Sequence, residues 1–421
     1  MANLLSKAAI AGVVFVGVFY QFIFKDLYYG VLGHGRKVNS IKDYNHVSCQ
    51  KVDELGLEGC EDMWLHEKTG YLYLACSDSR SRVQWLPALT NRGSIDHNNA
   101  TGRSLVDRIA VIDTRGPGRL ASRIQWLRTE NFSGVNGDGT LSLHGLDIRP
   151  DKHTDTLRIL LVNHRPSVDP VTGELLDNVK VGANSTIEQF QTKAGSDTMR
   201  HVRTYANDVI HTPNRVAWVN DHAFVFTNDH SGKVGTRRAL DSILGGGSVG
   251  YCSRNSCNIA YSSGFAFPNG LARGRDGLIY VPNSGKTEVA VFSLTENHLL
   301  EKVHTIKTVL PIDNLSVDGN GDIYAASFPK LHVFDEATHD PFNINPPSAV
   351  YKISRAGKGY TGTSRKAHVE KWDDGEYVLE KIIEDDGSVL PGSTVAVHDS
   401  ETGRIFLGGA FSPFITICET K

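Results

Sequence analysis

The chain has 421 residues and a formal net charge of −3. That length holds one large ring or two to three ordinary domains, and a nearly neutral chain with no basic run or interleaved aromatics argues against a nucleic-acid partner. Its 41 glycines, many in DG, NG and TG pairs, point to a turn-rich β protein.

The first element is an uncharged, mostly apolar run over residues 8–24 (AAIAGVVFVGVFYQFIF), with Lys7 before it and Lys25 and Asp26 after it. It is slightly short for a spanning helix but within the observed range, and its flanking residues can snorkel. No A-x-A-like cleavage site follows, so the segment reads as an uncleaved signal-anchor, with a cleaved signal peptide as the second reading. Residues 1–40 are therefore assigned to a transmembrane anchor and linker, and residues 41–421 to one globular domain. The expected localisation is the secretory pathway, membrane-anchored through residues 8–24 with a lumenal or extracellular domain, or secreted.

Beyond the anchor one phrase recurs six times: a polar residue, a spacer, an apolar–x–apolar pair, a Gly/Asp/Asn-rich turn and a second apolar strand. The copies begin at Glu61 (EDMWLHEKTGYLYLACS), His144 (HGLDIRPDKHTDTLRILLVNH), Asn214 (NRVAWVNDHAFVFTNDH), Asn269 (NGLARGRDGLIYVPNS), Asp313 (DNLSVDGNGDIYAASF) and Ser393 (STVAVHDSETGRIFLGGAF). Radial repetition of β-meanders is the sign of a propeller. The expected fold is all-β, a six-bladed β-propeller with a central calcium tunnel, preceded by an N-terminal hydrophobic helix. Residues 77–105 and 229–262 read as loop insertions, and the GGGS at 245–248 as a flexible loop over the site mouth.

Six cysteines suit a secretory compartment. Cys49 opens the globular part and Cys418 closes it, so a bridge between them would lock the ring, stabilising it by roughly 5–6 kcal/mol on loop entropy alone. Cys252 and Cys257 lie close enough to pair locally. Cys60 and Cys76 flank one hairpin, where a bridge and two buried thiols are about equally expected. Sequons at Asn99, Asn131 and Asn184 are candidate glycosylation sites. Asn314 lies inside the repeat phrase and is expected to be buried and unmodified.

Equivalent positions of a closed ring converge on its axis, so the first residues of the six phrases should meet in the tunnel. Glu61 and Asp313 supply two negative charges; Asn214, Asn269 and Asn314 supply neutral carbonyl oxygens. That set balances one Ca2+, which takes six to eight oxygens. Zinc would need His or Cys at ligand spacing, which is absent. His144 shares the repeat position without being an oxygen donor and reads as a general base. His164 ends the next strand of the same blade, where the hairpin could bring it onto His144 to orient it. The competing reading is a set of polar strand starts that merely hydrate the tunnel.

From about Cys49 to Cys418 these pieces resemble the serum paraoxonase/arylesterase family: GCEDMWL, LHGLDI, LLVNH followed by NSTIEQF, FTNDH, FPNG, IDNLSVD and VLPGSTVAV. The resemblance implies Ca2+ on Glu61, Asn214, Asn269, Asp313 and Asn314, a His144–His164 base pair, and hydrolysis of lactones and aryl esters, with phosphotriesters as side substrates. Its partners would be small-molecule esters or lactones. It makes Asp62 the counterpart of a ligand to a second, structural calcium. Where the family completes that second site with aspartate, this chain has Arg215, expected to replace the ion and pair with Asp62, leaving one calcium. Phe328 and Ser412 stand where the family has histidines, and Asp229 is kept without its usual histidine. The rival readings are a metal-free strictosidine-synthase-like propeller enzyme and a non-enzymatic propeller scaffold.

Overall fold

In the computed structural model the described residues are 7, 10, 12–14, 16–18, 20–53, 55–89, 97–357 and 370–420. They form six sheets of four or five strands, arranged as the blades of a propeller and antiparallel throughout except where Arg128–Glu130 runs parallel to Thr198–Tyr205. The innermost strands are Asp62–His66, Leu143–Pro150, Pro213–Trp218, Ala272–Arg273, Ile312–Val317 and Val395–His398. Each begins within three residues of a start of the sequence phrase. In the second and fifth blades a further short strand, Arg128–Glu130 or Lys371–Asp373, adds a fifth member.

The sixth blade is completed by the chain's first strand. Val47–Val52 pairs antiparallel with Ile415–Thr420, and Cys49 stands opposite Cys418 in that register. The two cysteines are bridged across 369 residues of sequence. The ring is thus closed twice, by strand pairing and by a covalent bond. Cys252 is bridged to Cys257, and Cys60 to Cys76, resolving the pair that the sequence left open.

The core is divided among six apolar clusters, one between each pair of neighbouring blades. Strand alternation explains this division. Side chains of a strand point alternately to two faces, and in a propeller both faces are covered by other blades. In the first blade Leu72 and Leu74 face the sixth blade, whereas Tyr73 and Ala75 face the second. The strands therefore read as continuous apolar runs (YLYLA, ILLV, FVF) rather than as alternating ones.

Two glycines set the spacing around the axis. A Cβ on Gly145 would come within 2.5 Å of the Asn214 carbonyl oxygen, and one on Gly270 within 1.7 Å of Asn314 Oδ1. Each follows a tunnel residue, His144 or Asn269, and each lets two innermost strands approach more closely than any side chain allows.

Two expectations change here. Residues 229–262 are a loop insertion only as far as Gly247, because the two outer strands of the third blade follow, Ser248–Cys252 and Cys257–Tyr261. The GGGS segment does not cover the tunnel mouth. Gly245–Ser248 lines a separate cavity of about 1130 Å³ beside Val31.

Of the expected anchor, residues 8, 9, 11, 15 and 19 lie outside the described residues. The described neighbours are helical, and Ile10, Val13 and Val16 are 64%, 73% and 64% exposed. Among the described residues no helix is long and apolar enough to cross a membrane. The chain then packs on the propeller. Arg36 donates to the carbonyls of Pro329 and Gly30 at 2.7 and 2.8 Å, and His34 stacks on His332 with ring centres 4.0 Å apart.

Candidate functional site

The strand starts form the floor of a cavity of about 420 Å³, where Glu61, His144, Asn214, Asn269, Asp313 and Thr394 come together. The sixth contributor is Thr394 rather than Ser393, one residue later than the phrase alignment suggests. Ser393 instead donates its backbone N–H to Ser348 Oγ at 2.8 Å. The walls are apolar: Leu86 and Leu89 from the first insertion, Phe267 and Phe328 from loops, Phe334 from the short helix Leu331–Ala337, and Leu32 from the N-terminal segment.

Glu61 is 2% exposed and receives several donors. Asn314 Nδ2 lies 3.1 Å from Oε1, and Thr394 Oγ1 lies 3.2 Å from Oε2. His144 Nε2 stands 3.4 Å from Oε1. Burial alone would raise this carboxyl, but the contacts from His144 and Asn314 and the nearby Arg82 charge outweigh it and hold it below its ordinary value. Asp313 behaves oppositely. Burial, then the negative charges of Glu61 and Asp62, push it well above the carboxylate range. Two carboxyls thus share one buried site that lacks enough positive charge to ionise both.

The Oδ1 atoms of Asn214 and Asn269 are buried and have no hydrogen-bond partner. Buried polar atoms are almost always paired, so two orphaned carbonyl oxygens beside two carboxylates require explanation. A hard cation would satisfy both oxygens and the charge deficit. Among the described residues no group of three or more His, Cys, Asp or Glu is placed to hold a metal; the donors assembled here are two carboxylates and carboxamides, a set that fits calcium. Asn314 differs from the other two asparagines because its amide N–H is spent on Glu61.

His144 and His164 are both buried. His144 Nδ1 lies 2.7 Å from His164 Nε2, and His164 Nδ1 lies 2.9 Å from Ser185 Oγ. Antiparallel pairing of Leu143–Pro150 with Thr156–Asn163 brings the two imidazoles together at the top of the hairpin. Burial, then the neighbouring His144, holds His164 well below its ordinary value. Trp85 Nε1 donates to the His164 carbonyl at 2.8 Å, and Arg82 to the Leu143 carbonyl at 2.7 Å, so the first insertion braces this pair.

One layer deeper, Asp62 and Arg215 meet. Arg215 Nε is 2.7 Å from Asp62 Oδ2, and its Nη1 donates to the carbonyls of Leu315 and Leu271. Asp62 also accepts the backbone N–H groups of Met63 and Leu146 at 2.9 and 2.8 Å. Burial raises the Asp62 carboxyl, with Arg215 opposing. This guanidinium links the first, third, fourth and fifth blades across the axis.

The positions that depart from the family pattern have clear local roles. Phe328 stacks on Phe334 with centres 4.3 Å apart in the cavity wall. Ser412 donates to the Pro391 carbonyl at 2.7 Å. Asp229 has a histidine partner after all, its chain neighbour His230, with Nδ1 2.7 Å from Oδ1. The sequence reading missed Thr394, Ser185, Arg82 and Phe267. Phe267 takes a positive φ of 61° beside Asn269, a conformation rare for a bulky residue. Only the TV spacing after Ser393 carried a signal, since it allows a one-residue shift. Asn131 and Asn184 are exposed, Asn99 is half-buried with its Nδ2 on Gln84 at 2.9 Å, and Asn314 is buried.

The profile of the arylesterase family matches residues 175–418. The chain is similar to serum paraoxonase/arylesterase 1 of Mus musculus, 24% identical over 64% of this chain and 66% of that protein. It is 26% identical to serum paraoxonase/arylesterase 2 of Homo sapiens, over 63% of this chain and 65% of that protein. The matched stretch therefore spans just under two thirds of these relatives' own length. Among solved structures, a luciferin-regenerating enzyme superposes with a TM-score of 0.48 at 12% identity, covering 89% of this chain and 95% of that one. A gluconolactonase of Xanthomonas campestris superposes at 0.44 and 13% identity, covering 92% and 94%. With more than half of its length matched by that profile, the chain belongs to the arylesterase family.

Proposed function

We propose that the protein is a calcium-dependent hydrolase of lactones and aryl esters, with phosphotriesters as side substrates. The observation that carries this reading is the tunnel floor, where the orphaned oxygens of Asn214 and Asn269 adjoin Glu61, Asp313 and a linked histidine pair. Glu61, Asp313, Asn214, Asn269 and Asn314 would hold the calcium, Asn314 offering Oδ1 while its Nδ2 donates to Glu61. When bound, the ion supplies a Lewis acid for a carbonyl oxygen.

The chain's own groups account for the proton. His164, kept neutral by burial, donates from Nδ1 to Ser185 Oγ and accepts at Nε2 from the Nδ1–H of His144. This leaves the lone pair of His144 on Nε2, facing the cavity, where it takes a proton from the attacking water. The imidazolium then formed lies 3.4 Å from Glu61 Oε1, which stabilises it. The apolar walls exclude bulk water and favour an aryl or alkyl leaving group.

The exposed apolar side chains of Ile10, Val13, Val14, Val16 and Val18 support a membrane anchor in a secretory compartment, which detergent fractionation of the full chain tests. The hydrolase reading is tested by assaying phenyl acetate and δ-valerolactone before and after exhaustive chelation with EGTA. Loss of turnover, restored by calcium, is expected; full turnover after chelation would overturn the reading.

A further inference from the structure

The innermost strands end at a second cavity, at the opposite mouth of the tunnel. It has a volume of about 510 Å³, and all six blades contribute to it. It shares no lining residue with the cavity over His144. Arg215 is in its floor, and the Arg215–Asp62 pair lies between the two cavities.

Its inner wall is apolar, formed by residues such as Met63, Ile148, Val216, Leu271 and Val317, with Trp64 and Trp218 beside them. Its rim is cationic: Lys68, Arg149, Arg273 and Arg275 come from three different blades. Arg149 is engaged by Asp221 at 2.9 Å. Arg275 uses Nε on the Asp318 carbonyl at 2.9 Å, and neither it, Lys68 nor Arg273 forms an ion pair with any described residue. The carboxylates in the wall, Glu67 and Asp147, are both engaged: Glu67 accepts from Ser400 at 3.2 Å, and Asp147 accepts the Trp218 backbone N–H at 2.7 Å. Three cations without a carboxylate partner among the described residues therefore ring a recess whose depth is apolar.

From this charge and shape complementarity we infer that the far mouth of the tunnel is a binding site for a small organic carboxylate. The apolar body would sit against the inner wall, and the carboxylate on Lys68, Arg273 and Arg275. Arginine favours such anions because its planar fork pairs with both carboxylate oxygens. The site goes beyond the hydrolase reading and needs no residue of the catalytic cavity.

The test is calorimetric titration of the full chain with 4-phenylbutyrate, with 4-phenylbutylamine as the charge-reversed control. The carboxylate should bind more tightly than the amine, and its affinity should fall with added salt. The combined variant Lys68→Gln, Arg273→Gln, Arg275→Gln should weaken 4-phenylbutyrate by about tenfold or more while leaving phenyl acetate hydrolysis unchanged. All three residues are exposed, so the fold should survive their replacement. Absence of binding to the unaltered chain, equal binding of the amine, or undiminished affinity in the triple variant would each overturn the inference.

Discussion

Replacing Arg215 with alanine should destabilise the propeller more than any surface change. Arg215 is 5% exposed and Asp62 is fully buried. At a separation of 2.7 Å the pair's Coulomb attraction is about 6 kcal/mol at an effective dielectric near 20, partly offset by desolvation of both groups. Truncation leaves Asp62 with two backbone donors and no counter-charge. It also frees the carbonyls of Leu271 and Leu315. Removing one member of a buried pair costs about 3–5 kcal/mol, and that is the loss expected in urea unfolding followed by tryptophan fluorescence. The loss should depend on pH. Burial already raises Asp62 in the folded state, and without Arg215 it rises further. The folded variant can then escape the isolated charge by taking up a proton, so the deficit should shrink toward acid and grow as pH rises through the raised folded value. Adding Asp62→Asn to Arg215→Ala should recover much of the loss at neutral pH. A deficit below about 1 kcal/mol, or one constant from about pH 4 to pH 8, would refute the argument that a buried carboxylate is left uncompensated.

Asp147 offers a second pH-dependent test. Burial raises its carboxyl from 3.8 to about 6, so the folded state binds the extra proton between those values. Its contribution is present below the unfolded value and is lost as pH rises through the folded one, on the order of 3 kcal/mol in all. Relative to the unaltered chain, Asp147→Asn should therefore gain stability as pH rises through that window; a constant difference in urea midpoint would count against it. His144→Gln should lower lactone turnover by about 10²–10⁴-fold with the melting temperature unchanged, whereas His164→Gln should lose less; unaltered turnover in the first would place the base elsewhere. Calcium should raise the melting temperature, since a ligand of the folded state stabilises by mass action, and Asp313→Ala should abolish that rise. Cys49→Ser with Cys418→Ser should lower thermal stability while leaving the strand pairing at the closure detectable by hydrogen exchange, because Val47–Val52 remains hydrogen-bonded to Ile415–Thr420; complete loss of protection there would show that the bridge alone closes the ring.

Much of this architecture was legible in the chain because a propeller repeats its signal. Each copy of the phrase carries the same apolar pair, turn and second strand, so the six copies located the innermost strands to within three residues. Ring closure was readable from Cys49 and Cys418 at the two ends of the repeat. The proximity of His144 to His164 followed from one hairpin, and local pairing preserves such register. The convergence of Asp62 with Arg215 came from equivalent positions in two phrases, which radial symmetry brings to the axis.

What the sequence could not supply depends on contacts between segments that share no period. Whether Cys60 meets Cys76 depended on how tightly one hairpin begins. The braces on the histidine pair, Arg82 and Trp85, come from an insertion with no repeat to place it. The role of Ser185, the histidine partner of Asp229 and the cap from Leu32 likewise needed tertiary packing. The one-residue slip from Ser393 to Thr394 arose because both are small hydroxyl residues and only the strand register distinguishes them. The sequence by itself determined the ring and its axis, because strand periodicity and blade repetition are local and are written six times. Only the tertiary structure decided how the axis divides into two cavities. That division depends on a single guanidinium crossing the tunnel to Asp62, a long-range contact over 153 residues that no local pattern encodes.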